Sequence, residues 1–228
     1  MFEIIPAILT KKKSEFSPRL KLASKLSKTV QIDIMDGLFV DNETPAKLNN
    51  GDWYREYIMQ GKNPIPNIEL HLMVINPWEK IEAWKELDGV IRIIWHEEIP
   101  LNHEELIRAV HEIGLEACLA INPHTPLSQI YPYIEKEPKK KDANKYYVDS
   151  ILVMGVEPGF SGQKFLPSAL KTISALRKKY PHLKISVDGG INTTTVNAIK
   201  NAGANRLCAA GAIFLADDPK SAYNKLSK

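Results

Sequence analysis

The chain predicts an α/β fold: a single (β/α)8 barrel spanning residues 1–228. Two observations carry this expectation. Eight short apolar segments alternate with segments of helical period at roughly regular intervals. Alternation of that kind implies parallel strands with helices outside them. Eight such units in 228 residues also match a closed barrel, which commonly forms one unit near this size. An open doubly wound sheet is the alternative. No domain boundary, linker or low-complexity tract divides the chain.

Residues 3–9 read as the first strand, and the periodic run 16–26, after Ser14, as the first helix. In the second strand, Val30, Ile32 and Ile34 share one face, and Gln31, Asp33 and Met35 share the other. Gly37 ends it. Residues 41–66 are turn-rich, with one short helix expected at 53–59. The third strand ends at His71. Asn76 and Pro77 suit the cap and first position of a helix to Leu87. A β-branched run, 89–96, is the fourth strand. Asn102 caps a helix that Gly114 stops. The fifth strand, 116–121, closes at Asn122-Pro123, and Thr125-Pro126 opens a helix to about 135. The loop 136–145 contains Lys139-Lys140-Lys141 beside Glu135, Glu137 and Asp142, and reads as solvated rather than as a binding patch. The sixth strand is 150–156, and Pro167 opens a helix to about 179. The seventh strand is 184–187, with Asn192 capping a helix through Lys200. Residues 206–210 form the eighth strand, and Asp218-Pro219 starts the last helix.

Composition excludes several functions. A net charge of +3 is too slight to argue for nucleic acid. No apolar run reaches membrane-spanning length, and the N-terminus lacks a signal-peptide layout. Cys118 and Cys208 each sit in an apolar strand and read as buried free thiols in a reducing compartment. A cytoplasmic protein follows, with no nucleic-acid or membrane partner.

Catalytic groups of a (β/α) barrel lie at the carboxyl ends of its strands. Asp33, His71 and Asp188 are all late in theirs. Strands two and seven are three steps apart around an eight-membered ring, so their carboxylates can face each other obliquely across the mouth. Two carboxylates flanking one carbon can remove a proton beside a carbonyl and return one to the other face. The enediolate between needs its charge held by fixed donors or a metal. Imidazole and carboxylates converging from separate strands also suit a divalent cation. The glycine loops Gly159-Phe160-Ser161-Gly162, Gly189-Gly190 and Ala210-Gly211 suit a phosphate group at the same end. No lysine is late on an inward strand face, which argues against a Schiff-base aldolase.

Several blocks, in order, resemble the ribulose-phosphate 3-epimerase family: Asp33-Ile34-Met35-Asp36-Gly37, His71-Leu72-Met73, Asn122-Pro123 with Thr125-Pro126, the loop from Pro158 to Gln163, and Val187-Asp188-Gly189-Gly190. The likeness runs from Pro6 to Phe214. It implies a TIM barrel of the ribulose-phosphate-binding type and an isomerase of the pentose phosphate pathway. Such an enzyme inverts C3 of D-ribulose 5-phosphate, or a close analogue, to give D-xylulose 5-phosphate. It implies Asp33 and Asp188 as paired acid and base, and a divalent ion (zinc, iron(II) or manganese) on Asp33, His71, Asp188 and Gln31. The sugar phosphate would be held by His71, Gly159, Phe160, Ser161, Gly162, Gly189 and Gly190, by residues Ala7, Ala210 and Gly211, and by an apolar patch of Met35, Met73 and Met154. Family members are often dimers or hexamers, so a homo-oligomer is expected.

Three positions depart from the family pattern. Gln31 stands where a second metal-binding His is usual, so the ion is expected to bind more weakly. Ala7 replaces a substrate-contacting Ser, and Ala210-Gly211 replaces a Gly-Ser. These losses keep a second reading open, a non-catalytic sugar-phosphate-binding barrel. A third is another phosphate-binding barrel enzyme, such as a decarboxylase.

Overall fold

A computed structural model describes residues 2–135 and 147–228. Its eight parallel strands are β1 (Glu3–Ile8), β2 (Thr29–Met35), β3 (Asn67–Met73), β4 (Val90–His96), β5 (Glu116–Ile121), β6 (Ser150–Met154), β7 (Lys184–Asp188) and β8 (Arg206–Ala209). They pair in sequence order, and β8 closes onto β1. The barrel expectation holds, and the open sheet is excluded. The lysine-rich segment 136–145 lies outside the described residues.

Closure follows from how the strand faces divide. Alternate residues such as Ile4, Ile32, Leu70 and Val187 point outward into one continuous core beneath the helices. The other set points inward, and Ile5, Ala7, Ile94, Cys118, Ala120, Leu152, Met154 and Cys208 fill the barrel. Every residue of β2 is buried, because it has packing on both faces. At the amino end, Glu69 accepts hydrogen bonds from Arg92 and Arg206, and Arg92 also binds Glu116. This buried ion-pair network closes the barrel floor. The mouth is left as the open end.

The outer helices are α1 (Lys13–Leu26), α2 (Ala46–Asn49), α3 (Asp52–Met59), α4 (Pro77–Trp84), α5 (His103–Glu112), α6 (Tyr131–Glu135), α7 (Ser168–Lys179), α8 (Val196–Ala202), α9 (Gly211–Phe214) and α10 (Pro219–Leu226). Asn102 caps α5 by accepting from the Glu105 N–H at 3.3 Å, and Asp218 caps α10 through the Ser221 N–H at 3.0 Å. Four expectations need correction. Asn76 precedes α4 but makes no side-chain cap bond. Asn192 instead folds a turn, accepting from the Thr194 and Thr195 N–H groups, so α8 begins only at Val196. The helix opened by Pro126 is split into a 3-10 turn (Leu127–Gln129) and α6. Pro132 has no N–H to bond the Ser128 carbonyl, so a continuous α-helix is broken there. Finally, β3 continues past His71, because Met73 pairs with Met35 of β2.

The β2 loop is held in place by its own polar side chains. Asp36 accepts from the Leu38 and Phe39 N–H groups through Oδ1, and from the Ile75 N–H at 2.7 Å through Oδ2. One carboxylate thus ties the loops after β2 and β3 together. Asn42 donates to the Gly159 carbonyl at 2.6 Å, which fastens the β2 loop to the β6 loop across the mouth.

Candidate active site

Strand register brings the chemistry together. Asp33 of β2 lies beside His71 of β3, Met35 beside Met73, and Met154 of β6 beside Asp188 of β7. His71 Nδ1 stands 3.3 Å from Asp33 Oδ1 and 3.2 Å from Asp188 Oδ2. Gln31, one inward position earlier on β2, reaches both acids. Its Nε2 donates to Asp33 Oδ1 at 2.8 Å and to Asp188 Oδ2 at 2.6 Å. Two carboxylates from strands three steps apart thereby converge on a single nitrogen.

Above them opens a cavity of about 280 Å³. Asp33, His71 and Asp188 form its base, and Met35, Met73 and Met154 form an apolar collar around them. The β6 loop contributes Gly159, Phe160, Ser161 and Gly162. The β7 and β8 ends contribute Gly189, Gly190, Ala210 and Gly211. Phe160 is more than half exposed, at the rim. Gly189 and Gly190 have φ of +95° and +69°. A Cβ on Gly190 would come within 2.6 Å of the Phe165 Cα, and one on Gly189 within 2.3 Å of Val156 Cγ2. Glycine is therefore required at both positions by conformation and space.

Two expected site residues do not line the cavity. Ala7 is buried in the barrel interior, in register with Gln31 and below the cavity wall. A hydroxyl at that depth is not simply missing from the lining, because Ala7 packs among apolar neighbours. Gln31 is fully buried and lies beneath the acids rather than beside the cavity. It turns its amide nitrogen toward them, while Oε1 is buried without a hydrogen-bond partner among the described residues. An amide nitrogen donates and does not ligate a metal. As placed, then, Gln31 is a clamp on the two carboxylates.

Asp33, His71 and Asp188 fit a divalent ion. One ligand atom from each lies within 4.8 Å of the others. Two hard oxygens and one imidazole nitrogen form a donor set suited to zinc, iron(II) or manganese. The orphaned Gln31 Oε1 is the only atom of that side chain able to join them.

Electrostatics bind the three residues together. Burial, with the nearby Asp188 charge adding to it, pushes the Asp33 carboxyl above its usual range, against the opposing bonds from His71 and Gln31. Burial alone would lower the His71 pKa, but bonds and charges from Asp188 and Asp33 outweigh it and raise the value to about 9. The folded pKa thus exceeds the ordinary 6.5. This pairing stabilises the ion-free fold fully below pH 6.5, and the contribution is lost as pH rises through 9. The ion-free protein should lose roughly 1.4 kcal/mol per pH unit across that window. Urea midpoints measured between those pH values test this, and a flat profile contradicts the pairing.

Sequence reasoning missed three neighbours of this site. Cys208 lines the cavity, and burial, followed by the Asp188 charge, pushes its thiol well up, so it stays a thiol. His96, at the end of β4, places Nε2 at 2.9 Å from His71 Nε2. Glu98 follows it, at 3.3 Å from His96 Nδ1. A signal was present, since a His at the carboxyl end of a barrel strand is a site candidate in its own right.

Comparison with known proteins agrees with this geometry. The ribulose-phosphate 3 epimerase family profile matches residues 3–214. A protein of Oryza sativa subsp. japonica named "Ribulose-phosphate 3-epimerase, cytoplasmic isoform" is 35% identical over 202 residues, covering 87% of this chain and 81% of its own. "Ribulose-phosphate 3-epimerase" of Bacillus subtilis (strain 168) is 31% identical over 234 residues, covering 99% and 98%. Among solved structures, orotidine 5'-monophosphate decarboxylase from Sulfolobus solfataricus superposes with a TM-score of 0.64 at 15% identity, covering 99% of this chain and 96% of that one. The 3-hexulose-6-phosphate synthase from Salmonella typhimurium gives 0.64 at 16% identity, with the same coverage. At such identities the structural likeness concerns the fold alone.

Proposed function

The chain belongs to the ribulose-phosphate 3-epimerase family, and from that premise we propose that it inverts C3 of a phosphorylated ketose, D-ribulose 5-phosphate or a close analogue, using Asp33 and Asp188 as the two proton-transfer groups. Membership makes it an isomerase of the epimerase type acting on carbohydrate. The observation that carries the finer reading is the convergence of Asp33 Oδ1 and Asp188 Oδ2 on one small volume at the cavity base.

In this reading one carboxylate takes the C3 proton while the other, protonated, returns a proton to the opposite face. The raised Asp33 pKa favours Asp33 as the group that carries the proton to be returned. His71 lies against both acids and reaches the substrate oxygens. The three methionines keep water from the reacting carbon. Backbone around Gly189, Gly190 and Gly211 takes the phosphate, with Ser161 and Gly162 facing it from the β6 loop. A divalent ion on Asp33, His71 and Asp188 would act as a Lewis acid toward the enediolate oxygens.

Purified protein with ribulose 5-phosphate in deuterated water, with and without added zinc, manganese or iron(II), should take up deuterium at C3. The clamp geometry of Gln31 favours a second outcome, a binding barrel with an incomplete ion site. Sugar-phosphate binding without exchange under any ion would establish that outcome instead. Replacing Gln31 with His should tighten zinc binding by tenfold or more, about 1.4 kcal/mol per tenfold, when measured by chelator competition. An unchanged affinity would mean that position 31 does not reach the ion.

Cytoplasmic location belongs to the same proposal. It is supported by the name of the rice relative, and among the described residues no helix is long and apolar enough to cross a membrane. Assembly as a homo-oligomer is proposed on family membership alone, and sedimentation of the purified chain tests it.

A further inference from the structure

We propose that His96 and Glu98 form a positioning relay that holds His71 by its Nε2 and so presents its Nδ1, the nitrogen facing the two acids, as the donor atom for a cation. The proposal deepens the reading of Asp33, His71 and Asp188 as an ion site and rests on it.

The argument starts at the outer end of the chain of hydrogen bonds. Glu98 Oε1 accepts from the Asn122 N–H at 2.8 Å and from the Thr125 hydroxyl. Its other oxygen, Oε2, faces His96 Nδ1 at 3.3 Å. A carboxylate can only accept, so His96 must carry its proton on Nδ1. A neutral imidazole then has a bare Nε2, and that nitrogen stands 2.9 Å from His71 Nε2. His71 must therefore donate from Nε2. Its Nδ1, between Asp33 and Asp188, is then the ring atom that gives up the proton it shares with the acids and presents a lone pair to a cation. Each step follows from the one before, and the polarity of the relay is decided at Glu98, the only partly exposed side chain of the three.

Two further observations support this direction. Bonds from His96, Thr125 and Asn122 outweigh burial at Glu98 and hold its carboxyl below the usual range. Two ring nitrogens 2.9 Å apart can hold only one proton between them, so His96, whose Nδ1 faces Glu98, accepts at Nε2. The rings of His71 and His96 lie within 19° of parallel, and Phe39 packs on the His96 ring at 4.7 Å. Both imidazoles are fully buried, so neither can turn to water for a substitute partner. Histidine ligands commonly have an outer partner of this kind, and its loss costs about 10–100-fold in metal affinity.

Cobalt(II) binding to the purified protein tests the relay without depending on turnover. His96→Phe removes the acceptor but keeps the aromatic packing, and Glu98→Gln removes the charge that orders the relay. Each should weaken cobalt affinity about 10–100-fold, with a changed visible spectrum. The double variant should be no weaker than His96→Phe, because both changes break one chain. His96→Gln, which can accept and donate at once, should recover most of the loss. Wild-type affinity in Glu98→Gln, or losses that multiply in the double variant, would overturn the relay. Should His96→Phe not fold, Glu98→Gln decides by itself. No cobalt uptake by the unmodified protein would instead overturn the ion-site reading beneath it.

Discussion

Asp33→Asn and Asp188→Asn should each abolish epimerisation and leave the fold intact. Losing a positioned acid or base costs about 10²–10⁴-fold in rate, and each side chain also belongs to the candidate ion site, so the combined loss should exceed either term. Stability should behave differently. The Asp188 charge helps raise the Asp33 pKa, which means the paired carboxylates oppose each other in the folded state. Removing one charge relieves that repulsion and gives up part of the His71 pairing, two effects of opposite sign, and an amide oxygen can still accept from Gln31 Nε2. The two-base mechanism makes a sharper demand. Any solvent exchange that survives should be confined to one epimer, and to opposite epimers in the two variants. Proton NMR in deuterated water, started separately from each epimer, reads this directly. Equal residual exchange of both epimers in either variant would defeat the assignment.

Glu69→Leu should destabilise the protein by about 3–5 kcal/mol, the usual consequence of removing one partner from a buried ion pair. Glu69 is 1% exposed and binds both Arg92 and Arg206, which are themselves buried. Without it, among the described residues Arg92 keeps the partly exposed Glu116, and Arg206 keeps Glu3 at 3.4 Å. Among the described residues the Nε atoms of both arginines already lack partners, so the variant adds to donors that are buried and unsatisfied. Urea unfolding measures the effect, and a loss below about 1 kcal/mol would show that water reaches the floor in the folded state. Glu69 is in register with Gln31, so the variant also tests whether a loosened floor is felt at the clamp. Together the two predictions separate the ends of the barrel: charge at the mouth serves chemistry, and charge at the floor holds the staves.

Much of the site could be read from strand parity. The alternation in β2 places Gln31, Asp33 and Met35 on one face whatever they meet. The same parity in β3 and β7 exposes His71 and Asp188, and eight alternating units announce a ring. Glycines with positive φ at 189 and 190 were legible as a loop, although steric demand from Phe165 and Val156 explains them as well as any ligand does. The depth of Ala7 was not legible, because the height of β1 against β2 depends on barrel stagger. Nor was α2 readable, since four residues carry no helical period. His96 and Glu98 went unassigned because their partners, His71 and Asn122, belong to neighbouring strands and loops.

The linear order of residues by itself determined the barrel and which side chains face its interior, because inward and outward positions follow from a two-residue period within each strand. Only the closed tertiary structure decided which inward side chains touch. Gln31 and Asp188, 157 positions apart, share a 2.6 Å hydrogen bond because closing eight tilted strands sets their relative heights. The way the Gln31 amide turns was decided there too, since an amide end is chosen by the charges that surround it.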